Sequence, residues 1–293
     1  MKRRKKEEQA AIGFILPALI IVFGIVIIPI LVTFIYSIVD NDLMSSTYGS
    51  YKGFSFYIKI LSDIEFWKSL GRTLYYTVTS TAIETIMGLA IALLLNEKFP
   101  GVRFLRAIII IPWALPTVVN GSIWKLIFNG EYGVFNEILQ RMHLIDKAVS
   151  WLGNPKSAMN MIVIADSWKM TPIAVIFFLA ALQGFDYSVY EAAKVDGANA
   201  LQRFKAITLP ELKNTVLIVI VMRTVEKFKA FDLFYLMTRG GPANATKTLM
   251  YNAYLEAFQH LNYSEAATYS FLIALVVVGL TLIYMRFMGR KDT

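Results

Sequence analysis

The sequence predicts an all-α, polytopic membrane protein with six transmembrane helices. Three observations predict it. Of 293 residues, 56% are hydrophobic and only 17% charged, and the mean hydropathy is +0.54, whereas soluble domains carry roughly 25% charged residues. Apolar stretches long enough to cross a bilayer, about 20 residues as helix, recur along the chain. The cations are unevenly placed: on the side that would hold the N-terminus they outnumber those on the other side roughly two to one, which marks the cytoplasm. The net charge of +8 is then a property of cytoplasmic loops, and nucleic acid is not needed to explain it. The chain is too apolar for disorder. With no cysteine, disulfide scaffolds, thiolate zinc sites, iron–sulfur clusters and cysteine nucleophiles are excluded, and the redox compartment is left open.

The first span covers residues 11–39 and follows five cations, Lys2 to Lys6. Its apolar run exceeds the roughly 7–15 residues of a secretion signal, so it reads as an uncleaved span, with Pro17 and Pro29 as points where it can bend. The second covers 73–95. The third, 105–128, contains Pro112 and Pro116 and is expected to be kinked or broken. The fourth, 158–182, holds Asp166, Lys169 and Pro172. The fifth, 212–237, carries a polar stretch from Arg223 to Lys229, and the sixth covers 266–287. Six spans put both termini in the cytoplasm, with 96–104 and 183–211 as cytoplasmic loops and 40–71 and 129–157 outside. Residues 1–71 form a basic N-terminus, first span and external segment. Residues 72–293 form a core of five spans.

Catalytic signatures are missing. His143 and His260 lie far apart with no metal-binding context, and no metal site or nucleophile set is expected. The stretch Gly241 to Thr248 resembles a phosphate loop whose second glycine is replaced by Thr246. It follows a span rather than a strand, so it reads as a turn. The matches to the glycosylation pattern at Asn244 and Asn262 are those expected by chance.

The loop 183–211 is the informative one. Asp186 or Ser188 can cap a helix, Glu191 to Lys194 are strong helix formers, and Gly197 suits a left-handed stop. Residues 198–207 can form a second short helix before Pro210. Val189, Tyr190 and Ala193 make this knob apolar although it sits outside the bilayer, which suits docking on a partner protein. On the residues alone, an interfacial amphipathic helix fits equally well.

Glu191-Ala192-Ala193 with Asp196-Gly197-Ala198, followed by Phe204 and Ile207 to Pro210, resembles the coupling motif of inner-membrane permease subunits of ATP-binding-cassette importers. Phe231-Asp232, the run from Leu236 to Pro242, Thr248, Tyr251 and Ala257-Phe258 resemble the carbohydrate branch, which includes maltose and glycerol-3-phosphate permeases. The similarity runs from about residue 10 to 287. The resemblance implies a non-enzymatic, pore-forming subunit in the cell (inner) membrane, translocating a sugar or sugar derivative. It implies two ATPase subunits that bind ATP and Mg, a second permease subunit, an external solute-binding protein, and no cofactor in this chain. It implies that Glu191, Ala192, Ala193, Asp196, Gly197, Leu209 and Pro210 form the ATPase-coupling site, with Glu191 meeting a cation of the ATPase. The corresponding helix of relatives lines the transport path, which makes Arg223, Glu226 and Lys227 candidates. Trp113, Asn120 and Trp168 are further candidates because sugar sites use aromatic faces and amides. A structural ion cluster at 223–229 remains open beside that reading, and its excess of cations leaves an anionic substrate open. A stand-alone channel or ion-driven carrier is the competing class, disfavoured by the absence of internal repeats.

Overall fold

The computed structural model of the chain describes residues 14–288. The run Lys2–Lys6, the start of the first span at residue 11, and Arg290 and Lys291 lie outside the described residues. In chain order the helices are α1 (Phe14–Ile38), α2 (Ser55–Ser62), α3 (Ile64–Asn96), α4 (Val102–Ile108), α5 (Ile111–Ala114), α6 (Thr117–Ile127), α7 (Val134–Arg141), α8 (Pro155–Gln183), α9 (Tyr187–Val195), α10 (Ala200–Arg203), α11 (Leu209–Phe228), α12 (Asp232–Met237), α13 (Leu249–Phe258) and α14 (Tyr263–Met288). Among the described residues the only β pairing is two isolated bridges, Val39 with Tyr51 and Asp42 with Asn262.

Two compact units share the chain: one runs up to Ile64 and takes in Asn252–Leu272, the other takes in Glu65–Tyr251 and continues from Ile273. In the first unit α1 buries almost nothing of its apolar surface, as expected of a helix whose surroundings are hydrocarbon. Its turns widen at Phe23–Ile27, two residues before Pro29. The Ile28 amide reaches back five residues, to the Phe23 carbonyl, so the chain takes up an extra residue just where proline removes a donor. Beyond α1, Asp40 accepts hydrogen bonds from Thr47 (2.5 Å) and Ser45 (2.8 Å). These hydroxyls, Thr47 first, hold its carboxyl below the usual range. Lys59 donates to Glu265 at 2.6 Å, and that bond raises its ammonium above the ordinary lysine range.

In the second unit the polarity is reversed relative to a soluble protein. The buried face of α3 reads Thr73, Tyr76, Thr77, Ser80, Glu84, Gly88 and Ala92, while Tyr75, Val78, Ile86, Met87 and Leu94 are exposed. That is a polar stripe at helical spacing on an otherwise apolar helix. Gly88 lets α3 approach α8 closely, since a β-carbon there would stand 2.5 Å from the Ala174 β-carbon. Below Gly88 the packing turns apolar, around Ala92, Leu95, Val175, Phe178, Leu182 and Leu212.

The broken third span is observed. Leu115 and Pro116 are extended (ψ 134° and 142°), as the residue before a proline prefers, and the helices on either side meet at 92°. The fifth span is not one helix: α11 stops at Phe228, and after a break at Lys229–Phe231 the short α12 begins. Four helices among the described residues (α1, α3, α8 and α14) are long and apolar enough to cross a membrane, and the bent pair brings the number to at most five. The Gly241–Thr248 stretch is a turn, closed by Thr246 donating to the Gly241 carbonyl at 2.8 Å.

Candidate functional site

Two places hold most of the residues singled out above. The first is the charged interior between α3, α8 and α11. Spacings of three and four put Arg223, Glu226 and Lys227 on neighbouring positions of α11, and Arg223 and Lys227 are both buried. Glu84 lies between them: one carboxylate oxygen accepts from Arg223 Nε at 2.6 Å, the other from Lys227 Nζ at 2.5 Å. Lys227 also pairs with Asp166, whose carboxylate accepts from the Tyr76 hydroxyl at 2.7 Å. Arg223 reaches Glu226, whose side chain remains 47% exposed. The cation excess read from 223–229 is therefore balanced by carboxylates from other helices. Buried charges persist only where they are paired and hydrogen-bonded, and each of these is.

Glu84 was not picked out from the sequence, where span 73–95 reads as cleanly apolar. The available signal was the row Thr73, Thr77, Ser80, Glu84, Gly88 at steps of three and four. Asn120 is fully buried and donates to the Ala165 carbonyl at 3.3 Å. Trp168 is half-exposed and meets Trp124 edge-on, with ring centres 5.8 Å apart. Trp113 is also half-exposed. Lys169, nearly buried, donates to Thr117 at 2.8 Å.

The second place is the 183–211 hairpin. Asp186 starts α9 by accepting from the Ser188 amide at 2.9 Å, and that bond holds its carboxyl below the usual range. The helix ends in a Schellman motif: Ala198 N–H donates to Ala193 (2.9 Å), Gly197 N–H to Lys194 (3.0 Å), and Gly197 has φ +83°. Asn199 then caps α10 in a reciprocal box with Gln202, a start signal that the sequence reading passed over. The turns widen again at Phe204–Thr208, where Leu209 N–H reaches Phe204, two residues before Pro210, as happens before Pro29. The second short helix expected over 198–207 is thus part α-helix and part wider turn.

No residue of α9 is buried. Glu191, Ala192, Asp196 and Gly197 are exposed, Ala193 is half-buried, and Leu209 and Pro210 are exposed. Tyr190, expected among the docking side chains, turns inward instead, and its hydroxyl meets that of Thr208 at 2.8 Å. Val195 is exposed in its place, at 88%.

Residues 84–292 match the family described as the inner membrane component of binding-protein-dependent transport systems. The chain belongs to this family. Its members are membrane subunits without catalytic activity, and ATP hydrolysis resides on separate subunits. The chain is similar to the trehalose/maltose transport system permease protein MalF of Thermococcus litoralis, with 39% identity over 96% of this chain and 95% of that protein. It is similar to the sn-glycerol-3-phosphate transport system permease protein UgpA of Rhizobium meliloti, with 32% identity over 87% and 86% of the two chains. Its fold matches a chain of the bacterial alginate ABC transporter in complex with an alginate pentasaccharide-bound periplasmic protein, with TM-score 0.82, 20% identity and coverage of 100% and 99%.

Proposed function

We infer that this chain is one half of the membrane pore of an ATP-driven importer, and that its cargo is a sugar or sugar derivative handed over by an external binding protein. The observation that carries the coupling role is the exposure of α9 in the 183–211 hairpin. This helix presents Glu191, Ala192 and Val195 to solvent, ends in a rigid glycine stop and buries none of its residues. Such a surface suits a partner's groove, where a carboxylate can make a charge-assisted hydrogen bond and alanines allow close approach. Asp196 and Gly197 set the turn, and Leu209 and Pro210 start the helix that would carry the movement. Two ATPase subunits, binding ATP and Mg, would grip this hairpin and its counterpart on a second permease, and tilt α8 and α11 as rigid bodies. The names of the maltose, glycerol-3-phosphate and alginate relatives support the sugar class.

Six spans follow if the bent pair α4–α6 counts as one and α11 as another. Its 20 residues give about 30 Å of helix, the thickness of the hydrocarbon core, and its charges face carboxylates rather than lipid. The cation bias puts both termini and the hairpin in the cytoplasm. Residues 1–71 would form a segment apart from the 72–293 core. On the transport path, Glu226, Trp113 and Trp168 would touch the solute, and Arg223, Lys227 and Asn120 would hold that wall from behind.

The test is uptake into proteoliposomes containing this chain, a second permease, both ATPases and loaded binding protein. Uptake should require ATP and the ATPases; uptake without them would move the chain to the channel or carrier class. Gly197→Asp should abolish uptake while membrane insertion stays normal. A β-carbon at Gly197 meets nothing within 4 Å, and aspartate tolerates left-handed backbone for about 1 kcal/mol, so misfolding would not account for the loss.

A further inference from the structure

At the C-terminal ends of α3 and α8 the chain encloses a cleft of about 1120 Å³. Five cations line it, Lys98, Arg103, Arg106, Lys194 and Arg203, against one carboxylate, Glu97. Lys98 and Arg103 are exposed and have no carboxylate partner among the described residues. The two other arginines are anchored by backbone. Arg106 donates to the Leu95 carbonyl through Nε (3.2 Å) and Nη2 (2.6 Å), and Arg203 donates to the Ala198 carbonyl through Nη1 at 2.5 Å. Each guanidinium has five N–H donors, so both are held in place with donors to spare. Arg106 also covers a carbonyl that would otherwise repel an anion at this helix end.

The rest of the lining is apolar and aromatic. Phe99, Phe185 and Phe204 form part of the wall, and the cleft sits where α3 and α8 finish their apolar runs. The hairpin helix contributes Tyr187, Tyr190 and Lys194, at spacings of three and four along one face. Glu191 and Ala192 are not in the lining, so this face of α9 differs from the one assigned to the ATPase.

We propose that this cleft binds the phosphate of an anionic phospholipid headgroup, with the acyl chains lying along the ends of α3 and α8. A phosphate surrounded by guanidinium and ammonium groups satisfies the excess charge. A ligand that is anionic at one end and apolar at the other matches both parts of the wall, which a free anion does not. The assignment rests on the membrane reading of these helices and not on the coupling role. The lipid titration that tests it uses this chain alone, without ATP, so it can fail while coupling stands.

The experiment is native mass spectrometry of the full chain purified in detergent, titrated with phosphatidylglycerol or phosphatidylcholine. Phosphatidylglycerol should bind about 25-fold tighter or better than phosphatidylcholine, and Lys98→Gln with Arg103→Gln should weaken it roughly 25-fold, about fivefold for each cation, with phosphatidylcholine, whose choline offsets its phosphate, affected far less. Lys68→Gln with Lys156→Gln, which line a separate depression near the N-terminal end of α8, should change nothing. Equal binding of the two lipids, or an unchanged affinity in the cleft variant, would overturn the proposal. So would displacement of the lipid by millimolar inorganic phosphate at the same site, which would make free phosphate the ligand. Weakened capture of the ATPase subunits with intact lipid affinity would overturn it as well, assigning the cations to a protein partner.

Discussion

The charged interior and the 183–211 hairpin carry the chain's two most conspicuous sequence features, and the fold treats them in opposite ways. Arg223 and Lys227 look like free cations in a helix that should avoid them, yet Glu84, Asp166 and Glu226 neutralise them within the chain. Glu191 looks like an ordinary exposed carboxylate and remains one, with no ion pair among the described residues. Satisfied groups hold a fold together, and unsatisfied ones on a well-formed scaffold are available to something else. The two regions should differ measurably: in the interior, stability and transport should fall together, whereas in the hairpin they should separate.

The largest effect is expected at Glu84. Glu84→Ala leaves two buried cations short of a partner, at a cost of about 3–5 kcal/mol, seen as a large drop in the thermal midpoint of the purified chain together with loss of uptake. Replacing the group as a whole, with Glu84→Leu, Asp166→Leu, Arg223→Met and Lys227→Met, should regain most of that stability without regaining transport. If the single variant melts like the parent, the interior charges do not hold α3, α8 and α11 together.

A smaller loss is expected at Gly88. Its absent side chain lets α3 meet α8, and Gly88→Val should cost about 1–3 kcal/mol by overpacking. Gly88→Ala should be milder, and Ala174→Gly should relieve it, because Ala174 supplies the blocking carbon. Failure of that pairing would mean that the helices adjust by sliding.

The smallest effect on stability belongs to Glu191→Gln. The thermal midpoint should not move, while the maximal rate of ATP-dependent uptake falls about tenfold, the loss of one charge-assisted bond. A variant that transports at the parental rate would remove Glu191 from the coupling contact. One that melts early would make the hairpin part of the interior after all.

Much of the helical layout was legible from the sequence because hydropathy over about 20 residues is a strong, local signal. Residues 73–95, 158–182 and 266–287 fall within α3, α8 and α14. That the third span is interrupted near Pro112 and Pro116 was legible too, since proline acts on its immediate neighbours; which of the two breaks it was not. The end of the fifth segment at Phe228 was not, because the hydropathy of 229–237 does not show where a helix stops. The wider turns ahead of Pro29 and Pro210 were missed for a different reason: a proline can be met by a bend or by an added residue, and local sequence does not choose between them.

Within the candidate sites, a cap at Asp186 or Ser188 and the left-handed stop at Gly197 could be read directly, because each depends on residues within one turn. The inward orientation of Tyr190 could not, since its partner Thr208 lies 18 residues on. Glu84 escaped for the same reason on a larger scale, being 139 positions from Arg223.

By itself, then, the sequence determined that this is a helical membrane protein, roughly where its helices run, and where the short helix of its 183–211 loop starts and stops. These follow from hydropathy, capping and backbone freedom, all of which act over a few residues or one span. Only the tertiary structure decided which charges are already neutralised and which face of the hairpin is left outward. A charge far along the chain is invisible to a local reading, and a buried ion pair exists only once three helices have brought its members within hydrogen-bonding distance.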